Sequence, residues 1–409
     1  MRTSAKLGLL ASLYVSQGLP FGFFSQALPI LMRQEGRSLP DISKATWLMI
    51  PWALKFLWAP LVDRWSFDAL GRRRSWILPL QVASIVLAIA LFRLGGSAPI
   101  GTLMAALFVT NLISATQDIA TDGLAVEMLA DGERGYGNSV QVAAYRAGMV
   151  LGGGVLLAAY DRLGPQITFL AMATLLALAT VPIALHRERR APRAAAAPPG
   201  LGAWIDVARR PGMGTWMAVL VVYKGGEALA YGMVKPLFVD RGFSMADIGW
   251  LLGTVGFLSG LVGAVLGGAL VSRAGRGRAL LIAGALQIAG ILAYLVPAAG
   301  IGGAWSLAGA SVVEHLTGGV ATVSLFTIMM DACGDAAGTE YTLQASVVVI
   351  ATGVAQAVSG FLAAQIGYAG HFAAAAVISA LGLAFTARAL GQGRVPPAPR
   401  VLDAPRSAS

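Results

Sequence analysis

The sequence predicts an all-α polytopic membrane protein: twelve transmembrane helices in two six-helix halves. Three observations predict it. First, of 409 residues 56% are hydrophobic and only 12% charged, with a mean hydropathy of +0.71; a soluble domain carries about twice that charged share. Second, the apolar residues fall in repeated runs of about 20, the length that crosses a bilayer as helix, and not in the short alternating segments of an outer-membrane barrel. Third, a faint repeat relates the two ends of the chain. Tyr14 falls on Tyr223, Arg64 on Arg273 and Asp122 on Asp331, all at one offset of 209 residues. Two six-helix halves related by a parallel repeat form the architecture in which a solute binds between the halves near the bilayer midplane.

The elements follow in order. MRTSAK turns apolar at Leu7 and stays so to Met32, too long for a signal-peptide core, and reads as a retained first helix. The spans are predicted at about 7–31, 43–63, 75–95, 99–128, 137–160, 166–185, 214–238, 246–271, 278–297, 303–331, 341–365 and 368–390, with ends uncertain by a few residues. Between spans two and three, KFLWAPLVDRWSFDALGRRR carries Asp63, Arg64 and the triplet Arg72, Arg73 and Arg74. That much arginine in a short loop marks the cytoplasmic side. Placing both termini there puts most of the 30 lysines and arginines on the same side. These loops also account for the net charge of +10, so no nucleic-acid partner is expected.

Residues 1–185 are expected to form the first bundle and 214–390 the second. The Pro-, Ala- and Arg-rich segment 186–213 (HRERRAPRAAAAPPG) reads as a cytoplasmic linker, with a short amphipathic piece near Trp204. Residues 391–409 read as a disordered cytoplasmic tail. The lone Cys333 excludes an internal disulfide. Gly148, Gly152, Gly153 and Gly154 on span five, and Gly256, Gly260, Gly263 and Gly267 on span eight, predict close helix contacts.

Ionisable groups at bilayer depth are costly and point to function. Asp118, Glu227, Glu314 and His315 are the candidates for proton coupling. Lys224 and Glu227, three apart on one helix face, form either a local ion pair or a pair that exchanges partners during transport. Glu314 and His315, adjacent in sequence, are expected to point in different directions. Asp118 is expected to be protonated or paired with Arg146 or Lys55. The candidate cavity residues are Tyr14, Gln17, Gln26, Lys55, Asn111, Gln117, Arg146, Tyr223, Lys224 and Tyr231, although each glutamine serves equally as interhelical glue. The candidate cytoplasmic gate is Asp63, Arg64, Arg72, Asp122, Arg273 and Asp331, with Asp122 expected to pair with Arg64 or Arg72.

The loop between spans two and three resembles a signature of the major facilitator superfamily, with Ala59-Pro60 in place of its opening glycine. SQGLPFGF, LKFLWAPLVDRW with GRRRSWILPLQ, ATQDIATDGLAVEML and ERGYGNSVQ with YRAG resemble more closely the branch that joins AmpG-like muropeptide permeases, acetyl-coenzyme A transporters and siderophore importers. VYKGGEALA and VVEHLTGG extend the resemblance into the second half. It implies a twelve-helix permease of the bacterial inner membrane, monomeric in the bilayer, importing a mid-sized anionic solute with protons. The compact length and the SQGLPFGF opening favour a siderophore, with a muropeptide or acyl-coenzyme A as the alternative. No catalytic residue, cofactor or metal site is expected, and no G-x-x-x-x-G-K-[ST] loop for ATP is present. The rival class is an intramembrane magnesium-dependent prenyltransferase, because Asp118 with Asp122 and Asp331 with Asp335 make two D-x-x-x-D patterns.

Overall fold

A computed structural model describes residues 2–34, 48, 50–67, 70–94, 99–188, 200 and 202–394. Residues 35–47, which include the start of the second predicted span (43–63), the linker residues 189–199 and the tail beyond 394 lie outside the described residues, as does the side chain of Gln26. The twelve-helix architecture is present. Ten segments among the described residues are long and apolar enough to cross a membrane. One of them, Ala337–Gly391, bends at Gly367 (φ +69°) and so supplies two spans. The second span is described only over its final turns.

In chain order, α1 is Thr3–Gln34. Span α2 is broken into Ile50–Leu54, a 3₁₀ turn at Lys55–Leu57, and Ala59–Arg64. Pro60 explains the last break, because it lacks the N–H that would continue the ladder and is tolerated only in a first turn. Next come α3 (Arg74–Leu94), α4 (Ile100–Met128) and α5 (Arg134–Val150 with a π-helical continuation at Leu151–Leu156). Gly164, at φ +85°, turns the chain into α6, which ends at Leu185. The linker carries a short helix at Ala203–Arg209. The second half contains α7 (Met213–Asp240), α8 (Gly249–Ala274), α9 (Arg276–Ala298) and α10 (Gly303–Asp331). It closes with α11 (337–366) and α12 (368–391). Span α8 also opens on a π-helical stretch, Gly249–Val255.

Of the glycines predicted to make close contacts on α5, Gly148 and Gly152 meet α1 rather than α8. A Cβ on Gly152 would stand 1.9 Å from the carbonyl oxygen of Leu19, and one on Gly148 2.4 Å from that of Val15. On α8, Gly256, Gly263 and Gly267 face α10, and Gly260 lies under Arg146 of α5: a Cβ on Gly263 would stand 2.0 Å from the Leu316 oxygen. Bare backbones on these faces allow the close approach that packing without a hydrophobic driving force requires.

The apolar core is joined at one end and divided at the other. Toward the loop between α2 and α3, one cluster runs through both halves, from Leu10, Ala125 and Leu129 to Trp216, Met330 and Tyr341. Away from that end the clusters separate. One holds only first-half residues such as Leu19, Phe23 and Phe169, and another only second-half residues such as Leu237, Tyr294 and Phe372. The halves therefore seal against each other at the loop end and part beyond it, which leaves a cleft whose floor lies near mid-span.

Candidate functional site

The floor of the cleft carries two polar clusters. In the first half, Lys55 sits on the 3₁₀ turn of α2 and bonds Asp118 of α4, both buried. Its ammonium lies 5.4 Å from the ring centre of Trp52, within cation–π reach. Trp52 donates its indole N–H to Asn111 Oδ1 at 3.1 Å, and Asn111 donates to the carbonyl of Leu48 at 3.0 Å. Trp52, Phe21 and Tyr145 pack as an aromatic triad with centroids 5.9–6.4 Å apart.

One turn along α4, Asp122 is only 1% exposed. It accepts from the Tyr14 hydroxyl at 2.7 Å and from Gln141 Nε2 at 3.1 Å. No Lys or Arg lies within ion-pair distance of it among the described residues. This corrects the expectation that Asp122 pairs with Arg64 or Arg72: it faces into the first half, where α1 and α5 supply neutral donors. Gln17 donates to Thr121 at 3.1 Å and Gln117 to Ser16 at 3.3 Å. Both glutamines are buried hydrogen-bonded contacts between α1 and α4, the structural alternative allowed for them.

In the second half, Lys224 contacts Glu227 on α7 and donates to Thr322 of α10 at 3.3 Å. On α10, Glu314 Oε2 lies 2.8 Å from His315 Nδ1, which itself lies 2.9 Å from the Ser311 carbonyl. The expectation that these neighbours diverge is therefore corrected, since the two side chains meet. The Tyr231 ring stands 6.2 Å from the imidazole of His315. Arg146 of α5 reaches across to this cluster and ends against Gly260 of α8. Tyr223, expected in the cavity, instead donates to the Leu280 carbonyl at 3.0 Å and is buried between α7 and α9.

At the sealed end two ionic clusters join the halves. Asp63 accepts from Arg73 Nη1 at 2.6 Å and, from the start of α11, from the Thr339 N–H and hydroxyl at 2.6 and 2.7 Å. Arg73 is fully buried and also donates to Glu127 at 2.5 Å. Burial works against its charged form, but Glu127 and Asp63 together hold the guanidinium well above its usual value. Arg72 stays partly exposed, donating to the Asp63 carbonyl at 3.1 Å and to Glu127 at 3.3 Å. On the other side of the pseudo-repeat, Asp331 accepts from Arg134 at 2.6 Å and from Arg276 Nη2 at 3.1 Å, the first of these a bond between halves. Arg64 and Arg273 are exposed, with no ion pair among the described residues. The expectation that these two join the ionic clusters is corrected: Arg73 bonds Asp63, and Arg276 with Arg134 bond Asp331. The linker adds a bidentate pair, Arg210 to Glu340 at 2.6 and 2.7 Å. Sequence reasoning misses Arg73, Glu127, Arg134, Thr339 and Glu340 as partners, although the arginine triplet marks the place. Among the described residues no cluster of three His, Cys, Asp or Glu side chains is arranged to hold a metal ion.

The chain matches the Major Facilitator Superfamily over residues 10–355. It is 30% identical to the anhydromuropeptide permease of Escherichia coli K12 over 335 residues, which covers 80% of this chain and 67% of that one. It is 29% identical to an uncharacterized Haemophilus influenzae protein, covering 87% and 88% of the two chains. A putative transporter, AmpG 4 of Rickettsia conorii, is 24% identical over 67% of this chain and 69% of its own. Among solved structures, FucP in the outward conformation superposes with a TM-score of 0.72 over 95% of this chain and 98% of its own, at 14% identity. The human organic anion transporter MFSD10 gives 0.73 over 94% and 100%, at 18% identity. Sequence and fold agree, and the chain belongs to the major facilitator superfamily of transporters, in the branch that includes the anhydromuropeptide permeases.

Proposed function

We propose that this transporter imports an anhydro-muropeptide, or a solute of that chemical class, together with protons across the bacterial inner membrane. The sealed end is taken to face the cytoplasm and the cleft the other side. The carrying observation is the apolar core that joins the halves at one end and parts at the other, with buried charge at the parting. In a fold that works by rocking two halves about a central site, that is the place for a solute. The named relatives support the muropeptide branch, and the siderophore preference drawn from the SQGLPFGF opening is set aside. The prenyltransferase alternative loses its footing as well. Asp122 is engaged by Tyr14 and Gln141 inside one half, and Asp331 by arginines at the sealed end, so neither D-x-x-x-D pattern is free to hold diphosphate and magnesium.

Lys55 is bonded to Asp118 in this state. Rocking that separates the two leaves a carboxylate in a low-dielectric site, where the neutral acid is the cheaper form. Asp118 is thus our candidate proton carrier, with Asp122 behind it.

The test is uptake of an anhydro-muropeptide and of a ferric siderophore into proteoliposomes, with and without an inside-alkaline gradient, by wild type and Asp118→Asn. The expected result is gradient-stimulated muropeptide uptake that the variant loses, leaving only slow equilibration. Uptake of muropeptide indifferent to gradient and variant would sink the proton role. Siderophore uptake in its place would return the solute to the other branch.

A further inference from the structure

Arg146 is the cation of the central cluster without a carboxylate partner. Lys224 is taken by Glu227, and His315 lies against Glu314. No ion pair engages Arg146 among the described residues. It stands at the top of the contact between α5 and α8. That contact climbs from the sealed end through Tyr136 and Ser272 at 3.4 Å and the Ser139 hydroxyl on the Ala264 carbonyl at 2.7 Å. It ends where the guanidinium lies over Gly260. A Cβ built on Gly260 would come within 1.8 Å of Arg146 Nη1 and 3.4 Å of the His315 carbonyl oxygen. One turn back, a Cβ on Gly256 would stand 2.7 Å from His315 Nε2. Two bare turns of α8 thus give room to a guanidinium from the other half and to the imidazole beside it.

We propose that Arg146, seated on Gly260, is the carboxylate-binding group for the solute. Gly260 is a positioning residue that sets selectivity for the acid over its neutral amide. The proposal rests on the solute being a carboxylate-bearing anion, as above. A guanidinium offers two parallel donors to a carboxylate, and it can offer both where no carboxylate of the protein already engages it. The seat is also dependent on state, because arginine and glycine come from different halves. Parting of α5 from α8 removes the surface on which the guanidinium rests.

The test compares binding of an anhydro-muropeptide with that of its peptide-amidated counterpart, for wild type, Arg146→Gln, Gly260→Ala, and the double variant Arg146→Lys with Gly260→Ala. A charged hydrogen-bonded pair corresponds to a preference of roughly tenfold or more for the acid. Wild type should show it. Arg146→Gln and Gly260→Ala should bring the acid-to-amide ratio close to one by weakening acid binding while leaving amide binding in place. The slimmer lysine ammonium, tolerant of the added methyl, should restore part of the ratio in the double variant. An equal loss of acid and amide binding in Gly260→Ala would mean that the glycine serves packing alone, and would overturn the proposal.

A second readout does not depend on the solute assignment. Phenylglyoxal modification of Arg146, followed by mass spectrometry, should be slowed by citrate and not by an uncharged sugar. If wild type binds neither muropeptide yet citrate protects Arg146, the solute class falls and the anchor stands. If citrate gives no protection, the anchor falls whatever the solute.

Discussion

At the residue scale, burial decides which charges matter. Arg72 and Arg73 are neighbours in one loop, and both touch Asp63 and Glu127. Arg72 keeps a third of its side chain in solvent, and Arg73 keeps none. Exposed pairs contribute about 0–1 kcal/mol, whereas removing one partner of a buried pair costs about 3–5 kcal/mol because the other charge is stranded. Asp63→Ala, which also orphans both Thr339 donors, should therefore lower the thermal unfolding temperature in detergent by many degrees. Arg72→Ala should shift it little. Equal shifts for the two would show that the buried cluster is no stronger than a surface pair. Sequence names the loop and not the arginine. In a run of three, the one that turns inward is set by where α3 begins, at Arg74, and by Glu188, which caps that start by accepting from the N–H groups of Arg73 and Arg74 at 3.0–3.1 Å. Lys55 with Asp118 is one of two pairings that the sequence leaves open, and the 3₁₀ turn that aims Lys55 has no clear signature in the chain.

At the element scale, hydropathy locates the spans well, because an apolar run of bilayer length seldom occurs outside a membrane-crossing helix. It says less about which faces meet. The glycines of α5 predict a close helix contact without naming its partner, and Gly148 and Gly152 make it with α1, inside one half. Only the three-dimensional course names the partner, since a seam within a half and one between halves need the same small residues. The seam makes a sharp prediction. Gly152→Ala drives a methyl into the Leu19 carbonyl at 1.9 Å, backbone against backbone, so one of the helices must move. Gly154 has nothing within 4 Å of its missing Cβ, and alanine there gains about 1 kcal/mol of helix propensity. Thermal unfolding should therefore fall clearly in Gly152→Ala and stay level or rise in Gly154→Ala. A level result for both would mean that α1 and α5 slide apart at no cost. The π-helical turns of α5 and α8 are not predicted from hydropathy, though that of α5 contains Gly152, Gly153 and Gly154 and that of α8 runs up to the glycine-rich stretch that starts at Gly256.

At the scale of the whole molecule, what has to be explained is how the halves stay sealed at one end and still come apart. The repeat at a single offset foretells two related halves but overstates their equivalence. Asp122 is an internal, uncharged-donor site, while its counterpart Asp331 is a bridge between halves held by Arg134 and Arg276. The sealing bonds therefore come from one side of the pseudo-symmetry through Asp63 and from the other through Asp331, and the linker, over its described residues, touches both halves. Its Trp204 packs edge-on against Phe56 of α2 at 5.6 Å, while Arg210 grips Glu340 of α11, which is fully buried and also accepts from the Gly334 N–H at 2.6 Å. Hydrogen bonding to Glu340 holds the Arg210 guanidinium above its usual value, so the strap keeps its charge at any pH a cell meets. Cys333, buried in the connection between α10 and α11 seven residues before Glu340 and alone in the chain, reports on this end without any engineering. N-ethylmaleimide should label it slowly in wild type. Arg210→Gln leaves the Glu340 carboxylate buried beside a weaker donor and loosens the strap, so labelling should speed up severalfold, with thermal stability changed far less than in Asp63→Ala. Acceleration with stability kept would identify the linker as a brake on opening of the sealed end. Labelling as slow as wild type would mean that the Asp63 and Asp331 clusters seal that end unaided.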